Sequence, residues 1–186
     1  MKTDQSITQS VWMREPLPQF PTLNHDLEVD VVIVGAGLTG ITAAYLLREE
    51  GVRVALIERS RVAAADTGRT TAHLTYVTDY RFHELVKRFG NDGAKAFWEA
   101  GAAAIDQIAA TVQKLGVDCE FRWVPGYLHR STRDTDDAEI ERLTQDATLA
   151  REAGFDAIYV KDVHELRARS EDAAGCAPGG ALLGYA

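Results

Sequence analysis

The sequence has 186 residues, a formal net charge of −8, and shares of hydrophobic (46%) and charged (26%) residues that are ordinary for a soluble globular protein. An acidic chain repels phosphate backbones and anionic lipid, so we expect neither nucleic-acid binding nor membrane binding. The two cysteines, Cys119 and Cys176, lie far apart and form no Cys/His ligand pattern, so we expect no metal site.

The first 28 residues are polar and carry several prolines, which predicts an extended N-terminal arm over residues 1–28. Two aromatic residues in this arm, Trp12 and Phe20, are expected to pin it to the body of the protein. Residues 1–19 contain no apolar stretch of the signal-peptide type, so we expect a cytoplasmic protein.

A strand, a tight turn, a helix and a second strand are predicted next. The β-branched run Val31–Val34 is typical of a buried parallel strand. Apolar residues at helical spacing predict a helix over residues 38–50, which Gly51 ends. Residues 52–57 form the second predicted strand, and Glu58 follows it directly.

Helices dominate the predicted remainder of the chain. After a loop over residues 59–80 that contains one helical turn, apolar spacing predicts helices over 80–89, 91–115 and 136–153. The buried stripe of the long helix is expected to include Ala94, Phe97, Trp98, Gly101, Ile105, Ile108, Val112 and Leu115.

Shorter elements are predicted around and after these helices. Cys119–Trp123 and Tyr127–Arg130 alternate around Pro125-Gly126, which predicts an antiparallel hairpin. A short strand is expected over residues 157–160 and a short capped helix over 162–170. The glycine-rich tail over residues 175–186 carries no predicted element.

The segment Gly35-Ala36-Gly37-Leu38-Thr39-Gly40 carries the strongest functional signal, because this G-x-G-x-x-G follows a predicted strand and opens a predicted helix. Gly35 permits the tight turn, Gly37 lets the backbone approach a pyrophosphate, and Gly40 lets the helix pack closely on the sheet. Unpaired amides at the helix start favour an anion. Glu58 can accept hydrogen bonds from ribose hydroxyls and would repel a 2′-phosphate, which argues against NADP.

Both FAD and NAD use such a unit, and three features favour FAD. The unit begins the folded chain, Arg59 follows the acid, and the segment from Gly68 to Thr75 is small and rich in hydroxyl groups. A loop of that composition suits a second phosphate and a flavin edge. The sequence therefore predicts an α/β fold in which a Rossmann-like FAD-binding βαβ unit is followed by part of an α+β substrate domain.

At these residues the chain resembles the D-amino-acid-oxidase-like (DAO) family of FAD-dependent oxidoreductases, and especially the bacterial subgroup that appends a C-terminal Rieske domain. The likeness covers Ser10–Trp12, Phe20-Pro21, Asp30–Glu58 and the string Thr70-Thr71-Ala72-His73-Leu74-Thr75. It is looser beyond residue 80, where it depends on the order of the elements.

The resemblance implies a set of FAD-contacting residues and a reaction. The pyrophosphate would be lined by Gly35, Ala36, Gly37, Leu38, Thr39 and Gly40. Glu58 and Arg59 would meet the adenosine, and the diphosphate, ribityl chain or ring would be approached by Thr70, Thr71, Ala72, His73 and Leu74. The family oxidises C–N bonds by hydride transfer to the flavin. No catalytic residue is assigned.

Family members are considerably longer, so the resemblance also implies an incomplete active site and an absent Rieske domain. The expected domains are the arm (1–28), the FAD-binding unit with its flavin-side loop (29–80) and a partial substrate domain (81–186). Two other interpretations stay open: an NAD-binding dehydrogenase fragment, and a non-catalytic nucleotide-fold module that assembles with a partner chain. The expected partners are FAD, an amine or amino acid, and a partner chain or a missing C-terminal half.

Overall fold

In the computed structural model, the described residues are 17–70, 72–124, 126–129, 137–160 and 180–183. The chain divides into two compact units, which we call the N-terminal unit (residues 1–73) and the C-terminal unit (residues 74–186). The predicted domain bounds at residues 28 and 80 stay predictions.

The N-terminal unit is built on a parallel βαβ arrangement, as the sequence predicts. Strand β1 (Val31–Val34) pairs in parallel with β2 (Val54–Ile57), in a register that sets Val31 opposite Val54 and Val34 opposite Ile57. Helix α1 (Leu38–Glu49) connects them. A helical connection is what two neighbouring parallel strands require.

Strand β2 begins two residues later than the predicted start at residue 52, and Val52 is bonded to the end of α1 instead. The amide of Gly51 donates to the carbonyl of Arg48 (3.0 Å), and the amide of Val52 donates to that of Leu47 (3.0 Å). Gly51 has a φ of +79°, in the left-handed region. This is a Schellman motif, in which the residue after the glycine is still bonded to the last helical turn.

The described part of the arm, residues 17–29, contains no helix or strand. Phe20 is 72% exposed, so the prediction that Phe20 pins the arm to the body is wrong. Trp12 lies outside the described residues.

Asp30, which directly precedes β1, links the starts of the two strands. The Arg53 guanidinium donates to the Asp30 carboxylate through Nε (3.1 Å) and Nη2 (2.8 Å). These hydrogen bonds lower the pKa of Asp30.

The C-terminal unit contains the long helix α2 (Phe82–Leu115), β3 (Gly126–His129), α3 (Asp137–Glu152), β4 (Ala157–Val160) and β5 (Gly180–Leu183). Within α2, Gly90 has a φ of +73° and a ψ of 174°, so the backbone breaks there between two helical segments. This confirms the two helices predicted on either side of residue 90. A left-handed Gly116 ends the second segment, as predicted.

The predicted hairpin is wrong. Cys119–Trp123 forms no strand, and Glu120 has a φ of +56°, which interrupts an extended chain. Strand β3 pairs instead with β5, antiparallel, with Tyr127 opposite Leu182. Strand β5 also pairs with β4, so a segment of the tail for which no element was predicted lies at the centre of the sheet order β3-β5-β4. The predicted helix over 162–170 lies outside the described residues.

Four aromatic rings form the core of the C-terminal unit. Trp98 is 2% exposed and makes edge-on contacts with Phe82 (4.5 Å between ring centroids), Phe155 (5.1 Å) and Tyr76 (5.3 Å). Such T-shaped pairs are favoured by the quadrupoles of the rings. A Cβ on Gly101 would lie 2.7 Å from the Cβ of Tyr76, so the glycine permits this close approach.

The predicted stripe of α2 is confirmed in part. Ala94, Trp98 and Ile105 are buried, whereas Phe97 (45%) and Leu115 (56%) are exposed. Phe97 therefore lies outside the buried stripe, and so does Leu115 at the end of the helix.

A buried carboxylate, Asp146 of α3, joins α3 to the start of α2. Its two oxygens accept hydrogen bonds from Arg81 Nε (2.7 Å) and from the backbone amide of His83 (2.9 Å), and one lies 2.7 Å from His83 Nδ1. Arg81 also pairs with Glu139. Partial burial opposes ionisation of Glu139, but hydrogen bonds from Arg81 and Arg142 outweigh it and lower the pKa of this carboxyl.

Candidate functional site

The turn between β1 and α1, residues 35–40, is called here the glycine turn. Gly35 has a φ of +102°, a conformation that strains any residue with a Cβ. Its amide donates to the carbonyl of Ile57 (2.7 Å), which continues the pairing of β1 with β2 into the turn. The predicted need for glycine at this position therefore has a direct backbone cause.

Gly40 lets α1 pack directly against the glycine turn. A Cβ on Gly40 would stand 1.9 Å from the carbonyl oxygen of Gly35 and 3.4 Å from Cγ2 of Ile33. An oxygen at 1.9 Å is far inside the closest contact that a carbon atom tolerates. The close helix–strand approach predicted for Gly40 is thus present in the structure.

Gly37 leaves a gap beside the start of α1. It is the N-cap residue with ordinary extended dihedrals (φ −83°, ψ −177°), so its lack of a side chain is not required by the backbone. A Cβ there would meet one atom within 4 Å, Oγ1 of Thr67 at 3.3 Å. The space that this Cβ would fill is where a diphosphate must approach the amides of the turn.

Among the described residues, three amides of the glycine turn have no hydrogen-bond acceptor: those of Gly37, Thr39 and Gly40. The amide of Leu38 donates to Oγ1 of Thr67 (3.1 Å). Free N–H groups at the positive end of a helix favour an anion. The residues present therefore fit a diphosphate.

Glu58 points its carboxylate at the same turn. Oε2 accepts the amide of Ala36 (2.9 Å), and Oε1 accepts the amide of Ser60 (2.8 Å). These backbone hydrogen bonds lower the pKa of Glu58, so the group is ionised at neutral pH. Each carboxylate oxygen has further acceptor capacity, which leaves Glu58 able to receive sugar hydroxyls.

The other predicted site residues are exposed, belong to the C-terminal unit or lie outside the described residues. Arg59, Thr70, Ala72 and His73 are exposed members of the N-terminal unit. Leu74 belongs to the C-terminal unit, where it packs against the aromatic core. Thr71 lies outside the described residues. Their contacts with a flavin stay predictions.

Sequence reasoning missed Thr67. The predicted hydroxyl-rich loop begins at Gly68, whereas the residue before it supplies the hydroxyl that reaches α1. A signal was available, because Asp66-Thr67-Gly68 extends the same small, polar composition by two residues. These three residues form a single 3-10 turn, the one helical turn predicted within the loop.

Among the described residues, no helix combines the length and the apolar character that a membrane span requires. Over the same residues, no group of three or more His, Cys, Asp or Glu side chains could hold a metal ion.

Comparison with known proteins gives one family. Residues 30–185 match the family model DAO, described as FAD dependent oxidoreductase. YhfW of Bacillus subtilis, whose name assigns it to the Rieske 2Fe-2S iron–sulfur proteins, is 35% identical over 147 residues, which cover 79% of this chain and 28% of YhfW. Gamma-glutamylputrescine oxidoreductase of Escherichia coli is 30% identical over 122 residues, which cover 66% of this chain and 28% of that enzyme.

The fold of this chain is also similar to that of a solved structure. Glycine oxidase from Bacillus cereus superposes with a TM-score of 0.55 at 22% identity, over 83% of this chain and 38% of that one. The alignments to YhfW and to the Escherichia coli enzyme each span 28% of the relative's length. At this identity the structural likeness shows a shared fold, the Rossmann-like fold of FAD oxidoreductases.

Proposed function

The chain belongs to the DAO family of FAD-dependent oxidoreductases, and from this premise we propose that its N-terminal unit holds the ADP half of FAD. We further propose that the whole protein oxidises a C–N bond of an amine or amino acid. The cofactor of the family is FAD, which, when bound, accepts the hydride removed from the substrate.

One observation carries the cofactor assignment: the gap left by Gly37 is bordered by free amides, and an ionised Glu58 is fixed beside it. Gly37, Thr39 and Gly40 would hold the diphosphate through backbone N–H groups. Glu58 would accept hydrogen bonds from the ribose. Because two amides already orient this carboxylate (2.9 and 2.8 Å), it loses little freedom when it binds the sugar.

The substrate assignment depends on the relatives. The Escherichia coli enzyme is named for gamma-glutamylputrescine, which carries an amine, and the match to it covers 66% of this chain. The C-terminal unit would then contribute part of a substrate domain. A cytoplasmic location and a partner chain or further C-terminal half belong to the same proposal.

A titration tests the cofactor half. Adding FAD to the purified chain should quench flavin fluorescence to saturation, and NADH in excess should not compete. The Gly37→Val variant should abolish binding, because its side chain fills the gap. Ala103→Val, an exposed position of α2, serves as the matched control and should leave binding unchanged.

Two results would replace this proposal with the alternatives. Binding of NADH without FAD would favour a dehydrogenase fragment. Binding of neither, together with a defined complex with another chain, would favour a non-catalytic assembly module.

The substrate half of the proposal is tested by adding amines, amino acids and hydroxy acids anaerobically to the flavin-loaded protein. Bleaching of the visible flavin band by hydroxy acids alone would contradict C–N oxidation.

A further inference from the structure

The residues that follow the predicted flavin contacts are fixed to the core of the C-terminal unit. The sequence predicts that residues 70–74 approach the flavin, and Leu74 is the first residue of the C-terminal unit. Leu74 and Val77 pack against the aromatic core, and Tyr76, which is 9% exposed, belongs to that core. We call residues 74–77 the anchor segment, because three of its four side chains are held by the core.

The anchor segment makes its closest contact at Tyr76. The Tyr76 ring packs against the rings of Trp98 (5.3 Å between centroids) and Phe155 (5.9 Å). A Cβ on Gly101 of α2 would stand 2.7 Å from the Cβ and 3.2 Å from the Cα of Tyr76. Neither of these atoms can be moved by rotation of the Tyr76 side chain. A side chain at position 101 would therefore displace the backbone of the anchor segment.

The chain after the anchor segment cannot take up such a displacement. The amide of Val77 donates to Oγ1 of Thr75 (3.0 Å), which fixes the turn inside the segment. Arg81, which precedes α2, donates through Nε to the buried carboxylate of Asp146 (2.7 Å). Because the chain is bonded to α3 at Arg81, a shift of Tyr76 has to pass towards Leu74.

The residues before the anchor segment have fewer constraints. Ala72 and His73 are exposed. Ala72 also has a φ of +55°, in the left-handed region that a residue with a Cβ rarely adopts. Such a conformation persists when the surrounding structure imposes it. Movement of Leu74 would therefore change the conformation of the residues that are predicted to meet the flavin.

We propose that Gly101 is a positioning residue for the flavin: it admits Tyr76 at close range and so fixes, through Leu74, the residues that meet the flavin. This rests on the proposed function, since the flavin is that of the bound FAD. Gly101 acts through Tyr76 and needs no contact with the cofactor. A change in α2 should then alter the surroundings of the flavin while the ADP half is bound as before.

Two variants and a matched control test this role. Gly101→Ala adds the Cβ that displaces Tyr76 by about 1 Å, the difference between 2.7 Å and an ordinary carbon–carbon contact. Val77→Ala removes packing from the anchor segment without adding an atom, so it decides the question if Gly101→Ala does not fold. Ile105→Val is the control, because it removes a methyl group from the same core and lies one helical turn after Gly101.

Amide hydrogen exchange of the unliganded proteins gives the first readout. In Gly101→Ala and Val77→Ala, the amides over residues 70–78 should exchange about tenfold or more faster than in the unaltered chain, because the anchor segment opens more often. The amides of β1 and β2 should exchange at unchanged rates. Ile105→Val should leave the exchange over residues 70–78 unchanged.

The bound flavin gives a second readout, which a purely structural role of Gly101 would not move. Visible circular dichroism of the FAD-loaded protein reports how the protein surrounds the flavin ring. The flavin band should shift and lose intensity in Gly101→Ala and Val77→Ala, and it should be unchanged in Ile105→Val. The affinity for ADP, measured by calorimetry, should stay within about twofold in all three, since distant sites act independently.

The outcomes separate this role from the proposed function. A flavin band that stays unchanged in Gly101→Ala and Val77→Ala overturns the positioning role, whatever the exchange rates show. An equal change in Ile105→Val overturns it as well, because any loss of core stability would then suffice. A loss of ADP affinity equal to the loss of FAD affinity has the same consequence. Failure of the unaltered chain to bind FAD overturns the proposed function itself, and the role of Gly101 with it.

Discussion

Replacement of Gly40 by alanine should damage the fold of the N-terminal unit, whereas the same replacement at Gly37 should damage cofactor binding alone. A Cβ on Gly40 would lie 1.9 Å from the Gly35 carbonyl oxygen, so the backbone must move by about 1.5 Å to restore an ordinary contact. That carbonyl belongs to the turn whose amide bonds to Ile57 at 2.7 Å, and no flexible side chain can absorb the shift.

The expected change in the unfolding free energy of Gly40→Ala is the balance of opposing contributions. Overpacking of this kind costs about 1–3 kcal/mol, and weakening one turn hydrogen bond adds about 1 kcal/mol. Alanine gains at most about 1 kcal/mol over glycine from helix propensity, and less in the first turn. Steric displacement therefore prevails, and Gly40→Ala should lose about 2 kcal/mol in the free energy of unfolding.

Gly37→Ala is the matched comparison, because its Cβ would meet a side-chain hydroxyl at 3.3 Å and no backbone atom within 4 Å. Its unfolding free energy should stay within about 0.5 kcal/mol of the unaltered chain. Its FAD affinity should fall by about tenfold or more, because the methyl group occupies the approach of the diphosphate.

Urea unfolding followed by circular dichroism, paired with an FAD fluorescence titration, measures both effects in each variant. A Gly40→Ala protein that unfolds at the unaltered urea midpoint would refute the steric argument. A Gly37→Ala protein with unchanged FAD affinity would refute the placement of the diphosphate.

Two further substitutions test the charged groups. Glu58→Gln should lower the free energy of unfolding at neutral pH but change it little in acid. The pKa of Glu58 is lower in the folded protein than its ordinary value of 4.5. The ionised carboxylate therefore stabilises the fold above pH 4.5, and this stabilisation is lost as the pH falls through the folded pKa. Urea midpoints of both proteins between about pH 7 and pH 3 check this, and a difference that grows in acid would contradict it. Asp146→Ala should lower the unfolding free energy by about 3 kcal/mol, because it leaves Arg81 without its buried partner. A loss below about 1 kcal/mol in urea would show that the carboxylate does not join α2 to α3.

The C-terminal unit shows where prediction from sequence stops. The helices over 91–115 and 136–153 follow from apolar spacing, which is local. The pairing of β3 with β5 does not, because it joins Tyr127 to Leu182 across a long stretch of chain and no turn signal marks it. Asp146 was missed for the same reason: it stands at a polar position in a helical pattern, and its partner Arg81 is 65 residues away.

The order of strand, glycine turn, helix and strand was determined by the sequence itself, because each part depends on neighbours within a few residues: a β-branched run, a residue free to adopt a φ of +102°, and a glycine after α1. The identity of Glu58 as the acid beside the turn followed from the same order. Only the tertiary structure decided that Thr67 caps α1, since folding of the loop over residues 59–70 brings its hydroxyl to Leu38. The spacing of residues along the chain reports local steric limits and helix or strand propensity. A contact that is made by closing a loop depends instead on the path of the whole backbone.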